Sequence, residues 1–277
     1  MKIKKTATII LNRNLPIETD LLVENLMYSD ADCNDIYVVE AGSDKENLSK
    51  YCSWHINSKE AVANGMRYSR GMNYGLLQLW ISGDWKKYDS FFLITNDTVF
   101  PKNQKTVKTL QKLLIDNPRI GLISPCSIRW GENDLIGPNS LKYFWFIHNN
   151  AYFFRKEMVE NLINTESPSY MDFLFDGNNF RGYLSESEII AKVYANDWAA
   201  AITTKVFAEE DESFLLDKSQ LIKTEGYEEN LSLYISEGLQ WLKKKYGFNS
   251  KWQMMQYSKL FYEKFFEYFP EEKLNKR

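Results

Sequence analysis

Apolar residues along the chain follow two spacings. Four short stretches, Ala7 to Leu11, Ile36 to Val39, Phe91 to Ile94 and Ile120 to Ile123, are nearly continuous in apolar character. Such runs predict strands covered on both faces by helices. Between them, apolar positions recur every three or four residues. After Pro16, favoured as a first helical residue, Ile17, Leu21, Leu22 and Leu26 are expected to share one face. Met72, Leu76, Leu79 and Trp80 repeat the pattern, as do Val107, Leu110, Leu113 and Leu114. Strand and helix in alternation predict an α/β fold with a doubly wound, mainly parallel sheet. In such sheets ligands bind beyond the carboxyl ends of the strands.

The second half reads differently. From about Pro125 to Asn150 turns and aromatics dominate, which suits a mixed sheet. Ser185 to Tyr194 predicts a short helix, and Ala199 to Phe207 a strand. Beyond Ser219, Leu231, Tyr234, Ile235, Leu239 and Leu242 recur at helical spacing and predict a C-terminal helical extension. No apolar run approaches the ~18 residues that a membrane helix needs. The basic start, Met1 to Asn12, lacks a small-residue cleavage site and reads as a first strand, so a cytoplasmic location is expected.

Charge and rare residues narrow the chemistry. Lys and Arg total 34 against 37 Asp and Glu, a net charge of −3 that offers no basic excess for nucleic acid. Cys33, Cys52 and Cys126 form no Cys-x-x-Cys pair and are expected to be reduced thiols. With only His55 and His148, and no HExxH, Walker or Rossmann loop, neither a covalent hydrolase nor a nucleotide dehydrogenase is indicated.

Three polar clusters follow the apolar runs. Phe91 to Pro101 (FFLITNDTVFP) carries Asp97 where the strand should end. A carboxylate there can hold Mg²⁺ or Mn²⁺ against a diphosphate, or it can simply close the strand in an Asn-Asp turn. Ile36 to Asp44 places Glu40, a Gly-Ser turn and Asp44 beyond a second strand, as acceptors for a base or ribose or as a plain turn. Arg67 to Gly75 (RYSRGMNYG) brings two cations and two glycines to a helix start; Arg67 or Arg70 could neutralise phosphate. Downstream, Ser185-x-x-Glu188 matches a helix capping box.

In this order the clusters resemble the family 2 glycosyltransferases, a GT-A-fold group that moves a sugar from a nucleotide diphosphate donor. The resemblance covers roughly residues 6 to 215 and rests on Glu40 to Ser43, on Arg70-Gly-Met-Asn-Tyr-Gly75, and on Leu93 to Pro101. It implies donor contacts from Asn12, Glu40, Ser43, Arg67, Arg70, Asn73, Asn96 and Asp97, and a divalent cation, Mn or Mg, at Asp97. Thr95 stands where the family has its first acid, and the usual histidine after the later strand gives way to acids, among which Glu209 is a substitute ligand or part of an exposed loop. Glu186 aligns with the family's catalytic base, with Glu188 as the cap. Trp130, Trp145, His148 and Glu188 fall where the fold borders the acceptor.

The implied activity is an inverting transfer from a UDP, dTDP or GDP sugar to a carbohydrate, or to a lipid-linked acceptor reached through peripheral membrane contact of the aromatic C-terminal region. That region could equally pack on the core or join a homo-oligomer. The implied division is 1–100 for the nucleotide-sugar-binding half, 101–218 for the acceptor half and 219–277 for the helical region. A non-catalytic nucleotide- or sugar-binding subunit is the rival from another class. A sugar nucleotidyltransferase would need a Gly-rich basic loop after the first strand, and none is present.

Overall fold

The computed structural model describes residues 5–147, 151–211, 213 and 217–275. The strands are β1 (Thr6–Asn12), β2 (Asn34–Ala41), β3 (Cys52–Ile56), β4 (Ser90–Thr95), β5 (Thr98–Val99), β6 (Ile120–Cys126), β7 (Leu141–Tyr143), β8 (Tyr152–Arg155), β9 (Ala199–Phe207) and β10 (Glu209–Glu210). The α-helices are α1 (Pro16–Asp30), α2 (Lys59–Asn64), α3 (Arg67–Ile81), α4 (Thr106–Asp116), α5 (Glu132–Ile136), α6 (Lys156–Leu162), α7 (Ser185–Ala195), α8 (Tyr227–Tyr246) and α9 (Lys251–Tyr268).

The main sheet runs β3-β2-β1-β4-β8-β6-β9-β7. Its first four strands are parallel; β2, β1 and β4 are apolar runs of the sequence, whereas the edge strand β3 follows none of them. β8 then enters antiparallel between β4 and β6, and β7 pairs antiparallel with β9, so the sheet is mixed in its second half. β5 and β10 form a separate two-stranded ribbon beside it.

Every residue of β1 is buried. Helix α3 packs on β1 and β2, and its glycines explain how closely. A Cβ at Gly71 would lie 2.3 Å from Leu11 Cδ1, and one at Gly75 would lie 2.8 Å from Ile9 Cγ2. Their close approach is therefore to the strand beneath, where side chains would force the helix outward.

The stripe expected on α1 needs correction. Thr19, Leu22, Val23 and Leu26 are buried, whereas Ile17 and Leu21 are 70% and 62% exposed. At 3.6 residues per turn, these two lie about 160° round from the middle of the buried face. Four-residue spacing identifies a row without saying which row is covered.

The C-terminal helices are integral to the fold. α9 packs along α7 and inserts Tyr262, Phe265 and Phe266 into the main core, against Tyr194 and Tyr143. Burying each ring stabilises by roughly 1.5–3 kcal/mol. A second cluster joins Tyr183 and Leu184, just before α7, to Trp241, Leu242 and Met254. Of the aromatics considered for membrane contact, Trp241, Tyr262, Phe265 and Phe266 are thus covered by the protein itself, whereas Tyr268 is 73% exposed, as are, in part, Leu231 and Ile235 on α8. Among the described residues no helix is long and apolar enough to cross a membrane, and Cys33, Cys52 and Cys126 are unbonded.

Candidate active site

The parallel strands β2, β1 and β4 end side by side, with Asn12 opposite Glu40 and Leu11 opposite Thr95. Glu40 is fully buried. Its Oε2 accepts from Asn12 Nδ2 at 2.9 Å and Ser43 Oγ at 2.6 Å, and its Oε1 accepts from the Ser49 N–H at 2.8 Å. Asn12 Oδ1 in turn accepts from Asn96 Nδ2 at 2.8 Å and the Leu15 N–H at 3.2 Å. Hydrogen bonds to a buried charge contribute about 1.5–3 kcal/mol each, which makes this network a rigid floor. Glu40 and Ser43, expected to face a nucleotide, point into that floor.

Above the floor lies a cleft of about 200 Å³, walled by Asn12, Arg13, Arg67, Thr95, Asn96 and Asp97, with Ile222 and Thr224 opposite. The Thr95 hydroxyl donates to Asp97 Oδ1, and the Asp97 carbonyl accepts the Asp211 N–H at 2.9 Å. Burial, with Asp211 nearby, raises the Asp97 carboxyl above its usual range.

Two guanidiniums face the same space. Arg13 Nη2 donates to the carbonyls of Val62 and Ala63 at 3.0 and 3.2 Å. Gly65, at φ +72°, makes room for it, since a Cβ there would sit 2.5 Å from Arg13 Nη1. Burial and then the repulsion of Arg67 push the Arg13 pKa down to about 10. Arg67 opens α3 in the left-handed region at φ +53°, a strained conformation for a non-glycine residue. Its Nη2 donates to Thr224 Oγ1 and Glu225 Oε2, both at 2.9 Å. The Nε atoms of Arg13 and Arg67 are both buried without a partner.

Residues 218–225 cross the mouth of the cleft as a roof. Asn14 Nδ2 donates to the Leu221 carbonyl at 2.9 Å, Lys218 pairs with Glu18, and Lys223 pairs with Asp44 at 2.6 Å. Glu225 also takes Arg181, at 2.7 Å, and that cation holds its carboxyl well below the usual range.

Glu186 stands in the first turn of α7, after Leu184 in the left-handed region at φ +55°. It is half-buried. Burial, reinforced by repulsion from Glu210, pushes its pKa up to about 7, and only its own backbone N–H favours the ionised form. Glu210 ties this carboxylate to the cleft, because in β10 it pairs with Thr98, next to Asp97. Tyr152 stands close by with a buried, unpartnered hydroxyl, its ring edge-on to Tyr68 at 6.2 Å.

Several expected site residues serve the architecture instead. Asn73 is buried and spends its whole amide on the 170–175 segment, donating to Tyr170 and Phe175 and accepting from Leu174 and Phe175. Arg70 turns to the Gly177 carbonyl at 2.8 Å and to Glu60 at 3.2 Å, over the Phe180 ring. Glu188 is not a cap, since no side chain caps α7; it is buried and accepts from Lys245 at 2.7 Å and Tyr246 at 2.6 Å. Glu209 clamps the loop after β6, accepting from Ser127, the Ile128 N–H and Arg129. Trp130 lies on that loop, Trp145 packs against the core with its carbonyl held by Ser258, and His148 lies outside the described residues. Arg13 and the roof carried no sequence signal beyond the Asn12 to Pro16 strand-to-helix step, which frames Arg13.

The donor set would not hold a divalent ion on protein ligands alone. Asp97 is the one carboxylate of its motif, and one of its oxygens already accepts the Thr95 hydroxyl. Glu209 is committed to its loop, and among the described residues no group of three His, Cys, Asp or Glu could hold a metal. Positive charge in the cleft comes from guanidiniums.

No protein-family model matches the chain, and no curated protein matches it. Solved structures do. A mannosyltransferase from Pyrobaculum calidifontis, in complex with GDP-Man and Mn²⁺, is 14% identical with a TM-score of 0.51, over 72% of this chain and 54% of that one. This chain thus spans about half of that mannosyltransferase's length. Glucosyl-3-phosphoglycerate synthase from Mycobacterium tuberculosis, with Mn²⁺, UDP and phosphoglyceric acid, is 11% identical with a TM-score of 0.52, over 90% and 80% of the two chains. GalNAc-T7 with UDP, GalNAc and Mn²⁺ is 8% identical with a TM-score of 0.58, over 98% and 58%. A mixed sheet of this order, with its polar cleft at the ends of β1, β2 and β4, is the GT-A fold of glycosyltransferases.

Proposed function

We propose that the protein is a glycosyltransferase that moves a sugar from a nucleoside diphosphate donor to a hydroxyl of a carbohydrate or lipid-linked glycan acceptor, with inversion. The donor lies in the cleft of Asn96, Asp97 and Arg67. Glu186 accepts the proton of the acceptor hydroxyl as its oxygen bonds to the anomeric carbon and the bond from that carbon to the diphosphate breaks. The observation that carries this reading is a half-buried carboxylate in the first turn of α7, raised to about 7, without a side-chain donor, and within electrostatic reach of Glu210, whose strand partner Thr98 adjoins Asp97. A base tuned near neutrality both accepts and releases a proton at working pH.

The test is a transfer and donor-hydrolysis screen of UDP, GDP and dTDP sugars with the wild-type protein and Glu186→Gln. Turnover in the wild type, reduced about 10²- to 10⁴-fold in the variant with donor binding retained, supports the assignment. Binding without turnover across all donors and acceptors supports a binding-only subunit, the reading favoured by Thr95 in place of an acid.

A further inference from the structure

We infer that Arg13, together with Arg67, forms a two-guanidinium clamp that takes the diphosphate of the donor without a divalent ion. This rests on the glycosyltransferase reading and specifies what neutralises the leaving group.

Both side chains line the cleft and are anchored through Nη2. Arg13 Nη2 is fixed by the Val62 and Ala63 carbonyls, and Arg67 Nη2 by Thr224 and Glu225. Each leaves a buried Nε–H with no acceptor, in walls of one cleft. A buried donor without a partner is costly, and two of them on neighbouring like charges are costlier still. An anion with several oxygens relieves both at once, because guanidinium matches phosphate geometry with paired donors.

Two backbone features preserve this arrangement against the local cost. Arg67 is held at φ +53°, where non-glycine residues are strained, and Gly65 leaves the space that the Arg13 head group occupies. Such a conformation costs of order 1–3 kcal/mol and persists only where the surrounding contacts hold it. The acidic motif is reduced in a matching way. Thr95 donates to one oxygen of Asp97, which leaves the other to accept a hydroxyl of the donor. Charge neutralisation falls to the arginines.

The test is calorimetry of UDP, GDP and dTDP with the full chain, in EDTA and then with Mn²⁺, for the wild type, Arg13→Gln and Arg13→Lys. The clamp predicts wild-type binding of at least one of these nucleotides that changes less than about 2-fold between EDTA and Mn²⁺. It predicts binding about 10- to 100-fold weaker in Arg13→Gln, with partial recovery in Arg13→Lys, which keeps the charge and lacks the fork. The melting midpoint of each variant, with the Lys form as the gentler change, separates lost binding from lost folding. Binding abolished by EDTA and restored by Mn²⁺, or unchanged in a folded Arg13→Gln, overturns the clamp and leaves the glycosyltransferase reading intact. Absence of binding to all three nucleotides under both conditions overturns the reading itself, and the clamp with it.

Discussion

Glu40 and Glu186 are both carboxylates at element ends near the cleft, and their surroundings are opposite. Glu40 has no exposed surface and takes three hydrogen bonds, from Asn12, Ser43 and Ser49. Glu186 is half-buried, faces the repulsion of Glu210, and is pushed up to about 7. A carboxylate with both oxygens engaged by buried donors holds structure together. One that is partly dehydrated and has only its own backbone N–H as donor is free to exchange a proton.

The difference can be broken by substitution, and the largest effect belongs to Glu186. Glu186→Gln should lower transfer by about 10²- to 10⁴-fold while leaving the thermal midpoint unchanged or raised, because the variant removes a poorly compensated charge. Were the midpoint to fall sharply with activity, Glu186 would be a structural group like Glu40. Glu40→Ala is expected to act the other way, costing about 3 kcal/mol or more in urea unfolding because it strands buried donors of the floor. A variant as stable as the wild type would show the floor to be dispensable.

The pH dependence sharpens the same point. The folded-state pKa of Glu186 is above the ordinary carboxyl value of 4.5, so folding disfavours its ionisation. Its effect on stability is absent below about pH 4.5 and becomes progressively unfavourable as pH rises through about 7. Turnover that needs the ionised base rises across the same interval. A pH series of kcat/KM and of the unfolding midpoint should therefore move in opposite directions for the wild type, and Glu186→Gln should lose this component of the stability slope. Smaller again is Lys245→Met, which removes a donor shared by Asp176 and Glu188 and should cost about 1–3 kcal/mol. Lys50→Ala breaks the exposed pair with Glu24 and a contact over the Tyr51 ring and should leave the midpoint nearly where it is.

Strands β1, β2 and β4 were legible because extensive burial leaves a near-continuous apolar run, whereas the part-exposed edge strand β3 leaves none; Asp97 was legible because it closely follows β4. Sidedness was less so: Ile17 and Leu21 form a valid helical row that the fold leaves in solvent. Roles that depend on distant partners were illegible. Glu188 looks like a helix cap until Lys245 and Tyr246 arrive from α8, and Asn73 looks like a ligand contact until the 170–175 segment takes its amide. Arg13 is an ordinary residue in the sequence. Only the fold places it beside Arg67 with a buried Nε.

The covering segment 218–225 is fastened to its surroundings largely by charges, through Glu18, Asp44, Arg67 and Arg181, whereas the strand ends below are joined by interior amide and carboxylate contacts. Screening contracts to about 3 Å at 1 M salt and acts most on the more exposed charges, so brine weakens the Lys223 and Lys218 pairs more than the Arg181–Glu225 pair, and hardly reaches the second set. In such a solution the ceiling slackens over an unmoved base, and access to the chamber becomes a property of the buffer rather than of the domain's own melting.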